Sequence, residues 1–122
     1  MITGKLQRRW AEDKPSVYNR DTRMVCMDIV AEKRVNEEGV EVEGWSYLPV
    51  EIDRQIDYGH VKSQLIEAGF AQKDEFGLLM NAVEALIEGD MTHEDIVAFR
   101  EFCAYRKMCA EAAKMVVEAY RP

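Results

Sequence analysis

Hydrophobic positions recur with two different periods along the chain, and the change of period divides it into two parts. Residues 22–35 are rich in Val, Ile, Met and Cys, and residues 40–43 alternate Val with Glu. A period of two is typical of half-buried strands, so we predict a β-rich part over 22–53. Beyond it, apolar residues recur at three- and four-residue spacing, which predicts a helical part over 57–122.

The β-rich part contains clear turn and edge signals. The segment "NEEG" at 36–39 ends the first strand, with Gly39 free to take positive φ. Gly44 interrupts the alternation of apolar residues, which predicts a bulge or a crossing to another layer. Pro49 cannot donate a ladder hydrogen bond, so it favours an edge position. Residues 1–21 show neither period and are predicted to form an irregular or short-strand lead-in arm.

The helical part carries its own boundary signals. Asp57 is the predicted N-cap of the first helix, and Gly69 and Gly89 are the expected left-handed residues after the first two. Thr92 with Asp95 resembles a capping box for the third helix. The helices are predicted at about 58–68, 73–88 and 92–120. Strands followed by helices indicate one α+β domain over 1–122: an N-terminal antiparallel β-hairpin or three-stranded sheet, then three α-helices, the last one long.

The third predicted helix is unusually apolar. Helix two has one broad face, and helix three has two adjacent seams where one core needs only one. We expect the first seam to pack on the other helices or the sheet and the second to meet a protein partner, most simply another copy. The alternative is that a sheet and helices bury both seams within one monomer. The face of helix two is Phe76, Leu79, Met80, Val83, Leu86 and Ile87; the first seam is Ile96, Phe99, Cys103, Ala110, Ala113, Val117 and Tyr120; the second is Ala98, Phe102, Tyr105, Cys109, Ala112 and Val116.

Composition and net charge indicate which classes of partner the chain can bind. The 122 residues are 48% hydrophobic and 32% charged with a net charge of -7, typical of an ordered globular protein without a membrane span. An acidic chain repels phosphate backbones, so nucleic-acid binding is not expected, and only the arginines of the N-terminal region could support it. Those arginines are Arg8, Arg9, Arg20 and Arg23. We expect a cytoplasmic protein with no cofactor.

The cysteines give no sign of a disulfide framework. Cys26, Cys103 and Cys109 are odd in number and form no CxxC pair. We predict three buried, reduced thiols.

Residues with reactive side chains form no recognisable catalytic motif. The segment beginning at His93 has the start of a zinc-protease helix, but Val97 stands where the second His is required. Glu51 and Asp53 would share one strand face, which suits metal or acid–base work, although an exposed strand face is the simpler explanation. We therefore expect a protein that is not an enzyme and binds no metal.

Two aromatic residues supply an alternative function. Trp45 and Tyr47 share one face of a strand and are either core residues or a candidate ligand surface. In the second case the chain is a small-molecule-binding or regulatory domain, with a pocket between that strand and the helices.

The stretch 44–81 carries a resemblance to a family. It contains Trp45 and Tyr47, then Asp57-Tyr58-Gly59 before a short helix, then the segment "KDEFGLL" at 73–79. This pattern resembles small uncharacterised proteins that accompany phage or prophage structural and tail genes in gut bacteria. The resemblance implies an accessory or assembly role in a virion or its construction, with a virion-associated location. With the seams, it predicts a non-enzymatic interaction or assembly module that self-associates through its C-terminal helix.

Overall fold

The structure of the chain is a computed structural model that describes residues 3–90 and 92–120. Within these residues an antiparallel sheet precedes three helices, so the predicted α+β class is confirmed. The main sheet has the order β1-β6-β3-β2, and β4 pairs with β5 in a separate ribbon. The strands are β1 (Arg9–Ala11), β2 (Tyr18–Asn19), β3 (Met24–Ala31), β4 (Arg34–Val35), β5 (Glu41–Val42) and β6 (Trp45–Glu51).

The lead-in segment contributes more to the sheet than its sequence indicates. Residues 1–21 contain β1 and β2, which pair with β6 and β3 and raise the main sheet to four strands. Strands of two or three residues are too short to show a period, because their pairing is decided by distant partners.

The central pair β3 and β6 defines the two faces of the main sheet. Val25 lies opposite Val50 and Met27 opposite Leu48, and all four side chains are buried against the helices. Alternate residues of β6 point to the other face, as a period of two requires.

The bulge lies in β3 rather than at Gly44. The β3–β6 register shifts around Asp28, which has a φ of 48°. The Arg8 guanidinium holds this irregularity by donating to the Asp28 carboxylate at 2.8 Å and to the Asp28 carbonyl oxygen at 2.6 Å. Gly44 is required for another reason, since a Cβ there would lie 2.3 Å from a ring carbon of Trp10.

The three helices occupy nearly the predicted ranges: α1 (Tyr58–Gly69), α2 (Gln72–Ile87) and α3 (Glu94–Tyr120). Asp57 caps α1 by accepting the His60 N–H at 3.0 Å. Gly89 has the predicted positive φ, at 82°. Gly69 does not take a left-handed conformation; it is the last residue of α1, and a Cβ there would lie 2.6 Å from the Tyr105 hydroxyl.

The predicted capping box at the start of α3 is wrong. The Asp95 N–H donates to Nδ1 of His93 at 3.1 Å, so His93 provides the side-chain cap. The Thr92 hydroxyl instead donates to the Asp90 carboxylate at 2.8 Å within the turn before the helix.

α1 and α2 lie one after the other along α3, and both run antiparallel to it. Tyr58 at the start of α1 lies beside Val117, and Tyr105 near the middle of α3 donates to the Leu65 carbonyl oxygen. The first half of α2 lies against α3 around Arg106. The main sheet, α1 and the C-terminal half of α3 thus enclose the core.

The N-terminal half of α3 extends past this core. A helix of 27 residues is about 40 Å long, longer than a domain of about 30 Å can enclose. The extending part packs mainly on α2. We call this antiparallel helix pair, residues 72–106, the helical arm.

Candidate interaction surface

α2 packs on α3 with its smallest side chains. Ala82 and Ala85 are each 3% exposed and are the buried residues of the helix, with Leu78 partly buried beside the core. Alanine lets two helices approach closely but contributes little apolar area. α2 therefore makes a close but modest contact with α3.

The large side chains of α2 point to solvent. Ile87 is 81% exposed and Phe76 is 63% exposed, although burying such a side chain contributes about 1.5–3 kcal/mol. A helix that packs against one core normally buries its large apolar residues and exposes its small or polar ones. α2 does the reverse. Its exposed residues, which we call the α2 face, are Phe76, Leu79, Met80, Val83, Leu86 and Ile87.

The α2 face has the spacing of a helix–helix interface. Phe76, Leu79, Val83 and Leu86 alternate three- and four-residue steps, which is the a/d pattern of a coiled-coil seam over two heptads. Met80 and Ile87 widen the stripe on one side. The α2 face is therefore a straight apolar stripe that a second helix could cover.

A groove between the two helices of the arm extends this surface. Its volume is about 410 Å³, and Phe76 and Leu79 of α2 line it opposite Phe99 and Cys103 of α3. Arg106 lies at its rim and forms no ion pair within the part of the chain that the structure describes. The α2 face and this groove form one mainly apolar surface, and the groove lining also includes Arg106 and Glu75.

Charge is distributed unevenly along the arm. Its tip, residues 84–95, has five Asp or Glu residues and no Lys or Arg. Its base, residues 72–77 and 100–106, has three Lys or Arg residues and three Asp or Glu. The arm therefore changes from a base with equal numbers of cations and anions to a strongly acidic tip.

The interface predicted on α3 is wrong, because most of its residues form the core. Within one chain the second seam faces α1 and the sheet, while part of the first seam stays accessible, including Cys103 and Tyr120. The physical reason is that both seams are apolar, so periodicity alone does not decide which one faces the core. Of the predicted interface residues, Phe102, Tyr105, Cys109, Ala112 and Val116 are buried and Ala98 is half-buried.

Trp45 and Tyr47 do not line a pocket between the sheet and the helices. They lie on the sheet face turned away from the helices, where both are half-buried. Trp45 borders a cavity of about 520 Å³ and has the Lys14 ammonium 4.9 Å above its ring, while Tyr47 borders a separate cavity of about 250 Å³. The structure therefore removes the geometric basis of the predicted ligand pocket.

The other candidate residues take part in ordinary structural contacts. The Gln64 amide donates to the Asp53 carboxylate at 2.6 Å and to the carbonyl oxygen of Glu51 at 3.3 Å. Arg23 donates to the Ile52 carbonyl oxygen at 2.6 Å, and the Arg20 guanidinium lies 5.3 Å from the Tyr120 ring centre. Arg8 contacts the bulge at Asp28, so Arg8, Arg20 and Arg23 each make a separate structural contact.

The cysteine prediction is right for two thiols and wrong for one. Cys26 and Cys109 are buried, and burial raises the pKa of Cys109 to about 11. Burial also raises the pKa of Cys26, although nearby Arg9 opposes the shift. Cys103 is exposed in the groove of the arm, where it offers an accessible thiol.

The described residues provide neither a metal-binding cluster nor a membrane-spanning helix. Over 3–90 and 92–120, no three His, Cys, Asp or Glu side chains come together as a metal site would require. No helix in these ranges combines the length and apolar character needed to cross a bilayer.

Known proteins offer no guide to this surface. Comparisons with protein-family models, with curated proteins and with solved structures found no match to the chain.

Proposed function

We propose that the chain is a non-enzymatic protein-interaction or assembly module that self-associates through the α2 face. The observation that supports this most strongly is the inverted packing of α2. Its alanines face α3 and its large apolar side chains face solvent. A second protein surface on the α2 face would remove these side chains from water.

The area of the α2 face is sufficient for a dimer. Six partly exposed large side chains present on the order of 500 Å² of apolar surface, near the upper limit for a monomeric protein. A specific interface buries at least about 1,000 Å² summed over both partners. Two copies of the α2 face together reach this value.

The shape of the arm favours a second copy as the partner. A straight apolar stripe on a helix is complementary to the same stripe on another copy across a two-fold axis. Two helical hairpins that pair in this way form a four-helix bundle. The groove between α2 and α3 then lies inside the bundle, so the exposed parts of Phe99 and Cys103 are covered too.

The resemblance of residues 44–81 to phage-associated proteins supports a particular biological role for this module. We propose an accessory role in building a phage or prophage particle, in the host cytoplasm or on the virion. Residues 72–81 of α2, with the segment "KDEFGLL", belong to that stretch, so the resemblance includes three of the six residues of the α2 face. An accessory role in particle assembly would depend on the self-association proposed above.

Matched surface substitutions test the proposal. Phe76→Glu places a charge in the α2 face, and Val35→Glu places the same charge on β4, where the valine is 69% exposed. Neither side chain belongs to the core, so both variants should fold. Light scattering at micromolar concentration should show a dimer for the wild type and Val35→Glu and a monomer for Phe76→Glu.

Two outcomes would contradict self-association through α2. One is a wild-type mass of 14.1 kDa, the mass of one chain, throughout the micromolar range. The other is an oligomer that survives Phe76→Glu unchanged, since that oligomer must use another surface. Circular dichroism of each variant separates a lost interface from a lost fold.

A further inference from the structure

The β4–β5 ribbon belongs to a longer hairpin than its two short strands indicate. Residues 30–36 face residues 40–46 in one constant register, which joins the end of β3 to β4 and the end of β5 to β6. The ribbon is therefore the continuation of the central strand pair beyond the main sheet. The facing pairs are Val30–Ser46, Ala31–Trp45, Glu32–Gly44, Arg34–Val42, Val35–Glu41 and Asn36–Val40.

One edge of this hairpin has no strand beside it. The N–H groups of Glu32 and Asn36 donate across the hairpin at 2.9 Å. Because successive residues of a strand direct their backbone groups to opposite sides, the odd-numbered residues direct theirs outward. β2 pairs only with the first two residues of β3, so within residues 3–90 and 92–120 no strand covers this edge. We call residues 30–36 the β4 edge; its outward backbone groups belong to Ala31, Lys33 and Val35.

The ribbon lies outside the core and is exposed to water. Residues 31–41 are all exposed, and they include Val35 at 69% and Val40 at 54%. A two-stranded hairpin is only marginally stable in water and gains stability from a third strand. Unpaired backbone groups along an edge are also a template for a strand of another chain. The β4 edge therefore fits an extended strand as its partner.

We propose that the β4 edge pairs with the β4 edge of a second copy, antiparallel across a two-fold axis at Lys33. Full overlap of the two runs places Ala31 opposite Val35 of the other copy, so their backbone groups can exchange hydrogen bonds. The two hairpins then form one four-stranded sheet. This contact uses a surface separate from the α2 face and goes beyond the proposed function.

The charges on one face of the β4 edge are complementary in this register. Glu32 and Arg34 share that face, where they form an exposed ion pair at 3.0 Å. Full overlap places each Glu32 opposite Arg34 of the other copy, and opposite charges at facing positions stabilise paired strands. A shift of the register by two residues in either direction would place Glu32 or Arg34 opposite itself. The charge pattern thus favours full overlap.

The other face of the β4 edge brings the two Lys33 side chains together at the axis. Each ammonium already lies near carboxylates of its own β5, 3.7 Å from Glu41 and 3.9 Å from Glu43. Four carboxylates would therefore surround the two ammonium groups. Their attraction offsets the repulsion between the two lysines.

Together the two interfaces connect copies into a series. This step rests on the proposed self-association through the α2 face. Each interface relates two copies by its own two-fold axis, so α2 dimers that pair through their β4 edges form an alternating row. The strand pair is short and has no packed core, so it should form only at hundred-micromolar concentration or above. Val35→Glu therefore remains a control for the α2 face at micromolar concentration.

Proline substitutions test the β4 edge. Lys33→Pro removes an outward N–H and no hydrogen bond within the hairpin, and Glu43→Pro does the same on the opposite edge. In sedimentation velocity from ten-micromolar to millimolar protein, the wild type and Glu43→Pro should grow beyond the dimer, whereas Lys33→Pro should remain a dimer. Ala31→Pro, a second outward position, should also remain a dimer. Lys33→Thr keeps the N–H and should still grow.

A variant that lacks the α2 contact separates the two interfaces. Phe76→Glu should be a monomer at micromolar concentration and reach only a dimer at millimolar concentration. Adding Lys33→Pro to Phe76→Glu should keep it a monomer throughout. A Phe76→Glu dimer with an unchanged constant in the presence of Lys33→Pro would overturn pairing through the β4 edge.

Other results would also overturn this contact. A wild type that remains a dimer up to millimolar concentration would do so and leave the proposed function standing. Growth that stops in Lys33→Thr would show that the ammonium, not strand pairing, is required. Growth that stops in Glu43→Pro but continues in Lys33→Pro would assign it to the opposite edge. A wild type that matches Phe76→Glu at every concentration would instead contradict association through α2 and retain the β4 edge.

Discussion

At the scale of single residues, Tyr105 connects α3 to α1 and to Phe70. It is fully buried, packs edge-on against Phe70, and donates its hydroxyl to the Leu65 carbonyl oxygen at 2.7 Å. Burial raises the pKa of this hydroxyl, which keeps it protonated as a donor. Gly69 leaves the space that the hydroxyl occupies. Tyr105 therefore fixes α1 on α3 through one directed hydrogen bond.

Removing this hydroxyl should destabilise the chain. Tyr105→Phe retains the ring but leaves the buried Leu65 carbonyl oxygen without this donor, so the free energy of unfolding should fall by about 1–2 kcal/mol. Tyr120→Phe is the matched control, because Tyr120 is exposed and ends α3. Urea unfolding should separate the two variants. Equal stability would show that the hydrogen bond contributes nothing measurable.

At the scale of secondary-structure elements, one side of α2 contributes to folding and the opposite side is the one we propose for association. Ala85 faces α3, whereas the neighbouring Leu86 belongs to the α2 face. Substitutions at these adjacent positions should therefore affect different properties. In a helix that buries its large residues, substitution of the leucine would instead cause the larger loss of folding stability.

Two substitutions one residue apart test this separation. Ala85→Leu should overpack the contact with α3 and lower the free energy of unfolding by about 1–3 kcal/mol. Leu86→Ala should leave the stability of the single chain almost unchanged but weaken self-association. Denaturation at nanomolar concentration measures the first property, and light scattering at micromolar concentration measures the second. A large loss of single-chain stability for Leu86→Ala would show that α2 packs with its other side inward.

The sequence predicts the elements better than it predicts their packing. The helices are evident because a period of 3.6 extends over many turns and Asp57 and Gly89 mark boundaries. β1 and β2 are missed because three residues and two residues cannot display a period. The six apolar residues of α2 can be recognised in the sequence, but periodicity does not show that Ala82 and Ala85 take the inner side. The choice depends on how closely α2 approaches α3, which only the tertiary structure defines.

At the scale of the whole molecule, the chain consists of an enclosed core and an incompletely covered arm. The main sheet, α1 and the C-terminal half of α3 bury large side chains such as Leu48, Leu65 and Val116. The arm adds α2, which packs mainly on α3 and leaves its apolar stripe in water. An isolated hairpin of this kind lacks the additional layer that bundles normally provide. We infer that a second arm provides this layer.

Two methionines offer a direct test of whether the α2 face is covered. Met80 lies in that face and is 40% exposed in the single chain, while Met115 lies elsewhere on α3 and is 49% exposed. Peroxide oxidises accessible methionines, so a single chain should lose both at similar rates. The measurement is the oxidation rate of each methionine by mass spectrometry, from submicromolar to hundred-micromolar protein. We predict that Met80 becomes several-fold slower than Met115 as concentration rises; similar rates for both at every concentration would contradict self-association through α2.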